Sequence, residues 1–213
     1  CRVRIIAHDG SRDDYLPAAE DVYAMWPHLN VSTHTARVRY AYSSPVTPKQ
    51  VLEIDLQDNT TRLLKQDHVG GGYNSENFRT QRRWVTARDG ARVPVSLVYH
   101  KDTPLDGSAP GLVYGYGAYG HAMDPIFSAS IISLLERGFV YVIAHVRGGE
   151  EMGRRWYDEG KKLRKYNTFN DFIDVTHELQ TSAIVDPERS YAMGGSAGGL
   201  LVGAVLNEAP ELF

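Results

Sequence analysis

The sequence predicts a chain of two parts, an antiparallel β region over residues 1–78 and an α/β region over residues 79–213. Three observations carry this. Up to Lys65, short runs of apolar alternation recur about every ten residues, separated by Pro and Asn turns. From Pro110 onward, apolar strands alternate with helix-period segments, the pattern of a parallel sheet covered by helices. Between the two, Val69-Gly-Gly-Gly-Tyr73 interrupts both patterns and reads as a linker.

In the first part the strand candidates are Cys1–Ile6, Asp21–Trp26, Arg37–Ser43, Gln50–Leu56 and Thr61–Lys65. Ser44-Pro45, Thr47-Pro48 and Asp58-Asn59 supply the turns between the later ones. Such spacing suits a meander of the kind found in propeller blades. A single meander leaves its edges open and is a poor fold on its own.

In the second part, Arg82–Ala87 and Val93–His100 form a hairpin about Asp89-Gly90, because Asp-Gly accepts the positive φ that tight hairpin turns need. Gly111–Tyr114 is a buried strand. Pro125–Arg137 is expected as a helix, with Pro near its first turn and Gly138 after its end. Phe139–His145 is almost continuously apolar, as in a strand covered on both faces. Thr168–Thr181 reads as a helix opened by a capping box, Thr168-x-x-Asp171, with Phe169, Phe172, Ile173, Thr176 and Leu179 along its apolar face. Asp186-Pro187 ends that segment; Arg189–Met193 is a short strand and Leu200–Asn207 a helix.

The last strand–turn–helix carries Gly194-x-Ser196-x-Gly198. Glycines flanking a serine there allow a sharp, strained turn that lifts Oγ clear of the sheet, with a helix N-terminus behind it favouring negative charge. This is a nucleophile elbow, and it makes the fold class an α/β hydrolase, here the N-terminal half of its sheet. Serine needs a general base, which in this fold follows it in the chain. The 17 residues after Ser196 contain no His and no Asp, and Glu208 and Glu211 lie at the far end of the helix. All eight histidines precede the serine. His121 in a loop, His145 at a strand end and His177 on a helix flank each have a structural explanation. The sequence carries a nucleophile without its base.

A second constellation, Val113 to Gly120, follows the first strand of the α/β region, where this fold places part of its oxyanion hole. Gly115 and Gly117 give the backbone room, and the Tyr116 hydroxyl is a donor; one such donor is worth roughly 3 kcal/mol in the transition state. The same loop matches a dinucleotide fingerprint, Gly115-x-Gly117-x-x-Gly120, between a strand and a helix. The acidic residue expected about 20 positions on is missing, and Arg147 stands at the end of the next strand. That reading stays open, as does a non-peptidase esterase. Arg147-Gly-Gly-Glu150-Glu151 is expected to buttress the site through an Arg–carboxylate pair, and Lys161–Lys165 to be a solvated basic loop.

Composition fits a globular chain, with 42% hydrophobic and 23% charged residues. A net charge of −3 gives no reason to expect nucleic acid, and no run of about 18 apolar residues suggests a membrane span. One cysteine suits a reducing, cytoplasmic compartment. The start has no Met and no signal-peptide layout, so the chain is expected to begin mid-protein. No cofactor and no metal are called for.

Tyr114-Gly-Tyr-Gly-Ala-Tyr-Gly120, His145-Val-Arg-Gly-Gly-Glu150, Asn167-Thr-Phe-Asn-Asp-Phe172 and Met193-Gly-Gly-Ser-Ala-Gly-Gly199 together resemble the prolyl oligopeptidase family of serine peptidases, most of all its oligopeptidase B branch. Tyr42-Ser-Ser-Pro-Val-Thr-Pro48 and Arg83-Trp-Val-Thr-Ala-Arg-Asp-Gly90 extend the likeness into the β region. The resemblance implies a seven-bladed propeller over an α/β-hydrolase domain, short peptides as substrates, and cleavage after Arg or Lys. It implies Ser196 as nucleophile, the Ala197 N–H and Tyr116 hydroxyl as the oxyanion hole, and Tyr119 near the substrate pocket. The family's triad Asp and His and its acidic specificity residues would lie beyond Phe213. Glu150 departs from the family's usual third glycine, with Glu151 in the acid's place.

Overall fold

A computed structural model describes residues 2–213, and Cys1 of the first strand candidate lies outside them. The chain forms two compact units. The first comprises the residues up to Glu76 together with Asp124–Ala129, and the second comprises Asn77–Met123 and Ser130–Phe213.

In the first unit, β1 (Arg4–Ile6) and β2 (Asp13–Tyr15) form an antiparallel pair. β3 (Ala24–Pro27), β4 (Arg37–Ser43), β5 (Gln50–Asp55) and β6 (Thr61–Gln66) form an antiparallel meander in chain order. Alternation sets its two faces. Tyr40, Tyr42 and Ile54 point into a core with Leu16 and Met25. On the other face Arg39 pairs with Glu53, which also accepts from Arg62 on β6. The expected strand at Asp21–Trp26 starts later, at Ala24. β2 was not anticipated, since Asp13-Asp14-Tyr15 carries no alternation.

The expected helix over Pro125–Arg137 is corrected: α1 spans only Ala129–Leu135. Residues 124–129 join the first unit, where Phe127 N donates to Ser43 Oγ at 3.1 Å and the Phe127 ring meets Tyr73 edge-on at 5.2 Å. The residues before Ala129 are tied to that unit instead of winding into the helix.

The second unit is built on one five-stranded sheet. β7 (Phe78–Thr86) and β8 (Arg92–His100) make the hairpin about Asp89-Gly90, with Gly90 at φ 85°. β9 (Gly111–Tyr114), β10 (Val140–Ala144) and β11 (Ser190–Met193) run parallel, and the order is β11-β9-β10-β8-β7. Every residue of β10 is buried, as its apolar run requires. The short helix α2 (Arg154–Asp158) follows the loop after β10. α3 (Tyr166–Thr181) and α4 (Ala197–Glu208) share a core with Val95, Leu97, Val113 and Val142 through Phe172, Leu179, Leu201 and Val205.

The capping box is a second correction. α3 begins at Tyr166, and Thr168 and Asp171 are fully buried inside it. Their side chains are taken by the loop after β10, which offers buried polar groups that must be satisfied.

Candidate active site

The parallel pairing of β9 with β11 brings Met193 opposite Tyr114, and Gly115 N donates to Met193 O at 3.1 Å just past the strand ends. The chain then turns through Gly194 and Gly195 into Ser196, which caps α4 at φ 54°, ψ −119°. A positive φ at a non-glycine residue is strained and is seen where the surroundings force it. Here the forcing is visible. A Cβ at Gly194 would lie 2.4 Å from Gly198 O, and one at Gly198 would lie 2.7 Å from Gly115 O. Strand, turn and helix therefore approach at backbone contact, and the bend between them leaves Ser196 exposed. Ala197 is the first helical residue, so its N–H has no partner within α4.

The loop after β9 lies against this turn, with Tyr116 Cα 3.4 Å from a Cβ placed on Gly198. Tyr116 is half-buried and its ring meets His121 edge-on at 5.5 Å. Tyr119 stands out at 80% exposure with φ 58°. Gly120 N donates to Gly148 O at 3.0 Å, and Lys165 Nζ donates to Gly117 O. The loop does not open a helix, because α1 starts nine residues after Gly120. The dinucleotide reading needs a helix N-terminus at its glycines and loses its context here.

Behind the loop, Arg147 is 4% exposed and bonded to two carboxylates. Asp171 accepts from its N, Nε and Nη2, and Asp89 accepts from Nη1 at 2.6 Å. The Arg–carboxylate buttress exists, with these partners rather than its sequence neighbours. Burial opposes the Arg147 charge, but its hydrogen bonds to Asp171 and Asp89 outweigh it and raise its pKa. Burial raises the Asp171 pKa against the pull of Arg147. Glu151 instead accepts from Met123 N at 3.0 Å, and Glu150 is exposed.

The histidines are placed apart from the serine's chemistry. His145 is 3% exposed, with Nε2 2.7 Å from Ser96 Oγ, and its carbonyl accepts from Trp156 Nε1. His177 is exposed on α3, and His121 is exposed beside Tyr116. Among the described residues no His, Asp or Glu hydrogen-bonds the Ser196 hydroxyl, and no cluster of three or more His, Cys, Asp or Glu could hold a metal. No helix among them is long and apolar enough to cross a membrane.

The solvated basic loop is corrected at both ends, and at the first of them Lys161 is half-buried and bonded to Asp158. Leu163 is 99% exposed and Arg164 is exposed, but Lys165 is half-buried against the Tyr116 loop. Sequence reasoning missed Lys165 and Trp156. The signal for the lysine was its three-residue spacing from Thr168 and Asp171.

The sequence model of the prolyl oligopeptidase family matches residues 125–213. The chain is 51% identical over 212 residues to dipeptidyl aminopeptidase BI of Pseudoxanthomonas mexicana, covering 99% of this chain and 29% of the relative. It is 42% identical over 208 residues to Protease 2 of Moraxella lacunata, covering 98% and 30%. Oligopeptidase B from Leishmania major superposes with a TM-score of 0.88 at 37% identity, over 100% of this chain and 31% of that one. Oligopeptidase B from Trypanosoma brucei with covalently bound antipain does so with a TM-score of 0.87 at 38% identity, over the same shares. The chain thus spans about three-tenths of the length of these relatives. The likeness runs through the antiparallel unit as well as the elbow, and on it the chain belongs to the prolyl oligopeptidase family of serine peptidases.

Proposed function

We propose that this chain is the nucleophile-bearing part of a serine oligopeptidase that cleaves short peptides after Arg or Lys. The observation that carries the reading is Ser196, exposed at φ 54° on the turn between β11 and α4 with the Tyr116 loop packed against that turn. Ser196 Oγ attacks the scissile carbonyl carbon while a base takes its proton. Charge develops on the carbonyl oxygen, and the Ala197 N–H and Tyr116 hydroxyl donate to it. The C–N bond breaks, the amine leaves with the proton, and water later releases the acyl group from Ser196. The base, its carboxylate and the acids that receive a basic side chain belong to protein outside these residues. The antiparallel unit belongs to a propeller that admits only short peptides, and Tyr119 borders the substrate.

The preference for basic residues rests on the resemblance and on likeness to proteins named oligopeptidase B. The 51% identity to a protein named dipeptidyl aminopeptidase supports a second reading, removal of dipeptides from a free N-terminus.

The test is turnover of an arginyl amide by the full-length protein, with fluorophosphonate labelling of Ser196. Ser196→Ala should abolish both; turnover without Ser196 would defeat the reading. Blocked and free N-termini separate the two peptidase readings, and activity on p-nitrophenyl esters alone would indicate an esterase. The 213 residues by themselves should be nearly inactive, since losing the base costs about 10⁶-fold in kcat.

A further inference from the structure

α3 and its N-cap carry a polar ridge at three-residue spacing, Lys165, Thr168, Asp171 and Asp174, which is one of the two natural side-chain rows of a helix. Together the rungs hold three pieces of the sheet's carboxyl edge. Lys165 Nζ donates to Gly117 O in the loop after β9. Thr168 Oγ1 donates to Arg147 O at 2.7 Å in the loop after β10, and to Gly160 O at 3.1 Å. Asp171 accepts from Arg147 N and side chain. Asp174 accepts from Arg88 N at 2.7 Å and from its guanidinium, beside the β7–β8 turn.

Three of the rungs fix groups behind the site. The first reaches the loop that bears Tyr116. Lys165 is half-buried, burial lowers its pKa, and among the described residues no carboxylate lies within ion-pair distance of it. Its other close neighbour is the Phe169 ring, 5.9 Å from Nζ. Sinking an ammonium without a counter-charge is unfavourable, so the contact it makes has to matter elsewhere. Gly117 at φ 62° could not hold the loop by packing alone, because a side chain there would strike Thr168.

We propose that Lys165 is a positioning residue for the oxyanion site: its hydrogen bond to Gly117 O sets where the neighbouring Tyr116 hydroxyl stands relative to Ser196. The inference rests on the reading of Tyr116 as a donor to the developing oxyanion.

A mutant cycle in the full-length protein tests it. Lys165→Met should lower kcat about tenfold with KM within about twofold, since small displacements of a donor are felt in the transition state. Lys165→Arg, which keeps a donor and a charge, should recover most of the loss. In a Tyr116→Phe background, Lys165→Met should add less than about twofold, because residues acting through one group are not additive. The same tenfold loss in both backgrounds, or no loss in either, overturns the inference. Lys165→Gln takes the place of the methionine variant if that protein does not fold. If Ser196→Ala retains turnover, the serine reading itself has failed. If serine dependence holds but Tyr116→Phe leaves kcat unchanged, the Tyr116 assignment and this inference fall together.

Discussion

Arg147 meets Asp171 through three nitrogens. Its backbone N donates to Oδ2 at 2.9 Å, Nε to Oδ2 at 2.9 Å and Nη2 to Oδ1 at 2.5 Å. Both side chains are sealed from solvent, so Asp171 depends on Arg147, and Arg147 has only the half-exposed Asp89 besides. Asp171→Ala should therefore destabilise the second unit by about 3–5 kcal/mol, the usual cost of stranding a buried charge. A paired Arg147→Met, Asp171→Leu change should cost less than Asp171→Ala. Urea unfolding measures both; equal losses would mean that the pair is not the source.

The pH dependence follows from Asp89. Its hydrogen bond from Arg147 holds its pKa below the ordinary aspartate range, against the opposing effect of burial. Its contribution is then complete above the unfolded value of about 3.9 and is lost as pH falls through the lower folded value. Asp89→Asn should flatten the loss of stability on acidification below about pH 4. Thermal midpoints of the two proteins from pH 2 to 7 would check this, and parallel curves would refute it.

Gly194 and Gly195 are neighbours with opposite tolerances. A Cβ at Gly194 would meet Gly198 O at 2.4 Å, whereas one at Gly195 meets nothing within 4 Å. Gly194→Ala should cost about 2–3 kcal/mol and abolish phosphonate labelling of Ser196. Gly195→Ala should stay within about 0.5 kcal/mol. Denaturant midpoints separate the two.

Ser96→Ala would remove the partner of His145 Nε2 inside a sealed region. The expected loss is about 1–3 kcal/mol, the cost of an unsatisfied buried group. Ser196 labelling should be unaffected once the protein is folded. A selective loss of labelling would give His145 a part in the chemistry.

Tyr119 is exposed and makes no core contact. Tyr119→Ala should leave stability within about 0.5 kcal/mol. If it borders the substrate, KM for the arginyl amide should rise while kcat holds, and unchanged steady-state constants would remove it from the pocket.

The sequence displayed whatever was decided locally. Asp89-Gly90 marked the hairpin because few residues accept its turn, and the apolar run of β10 could only be a strand buried on both faces. Gly194, Ser196 and Gly198 marked the turn because the backbones touch there. What stayed hidden was decided by distant partners. The residues ahead of α1 are held by Ser43, 84 positions from Phe127. Thr168 and Asp171 look like a cap until the loop after β10 claims them. Lys165 looks like one charge of a basic run until Gly117, 48 positions away, accepts its hydrogen bond.

The backbone at Ser196 has a further consequence. Its φ of 54° is one that glycine adopts freely and serine resists. Ser196→Gly should thus yield a hardier protein that does nothing, with a higher melting point than Ser196→Ala. A sequence shaped for durability alone would drift toward that glycine, so endurance and chemistry pull this one position in opposite directions.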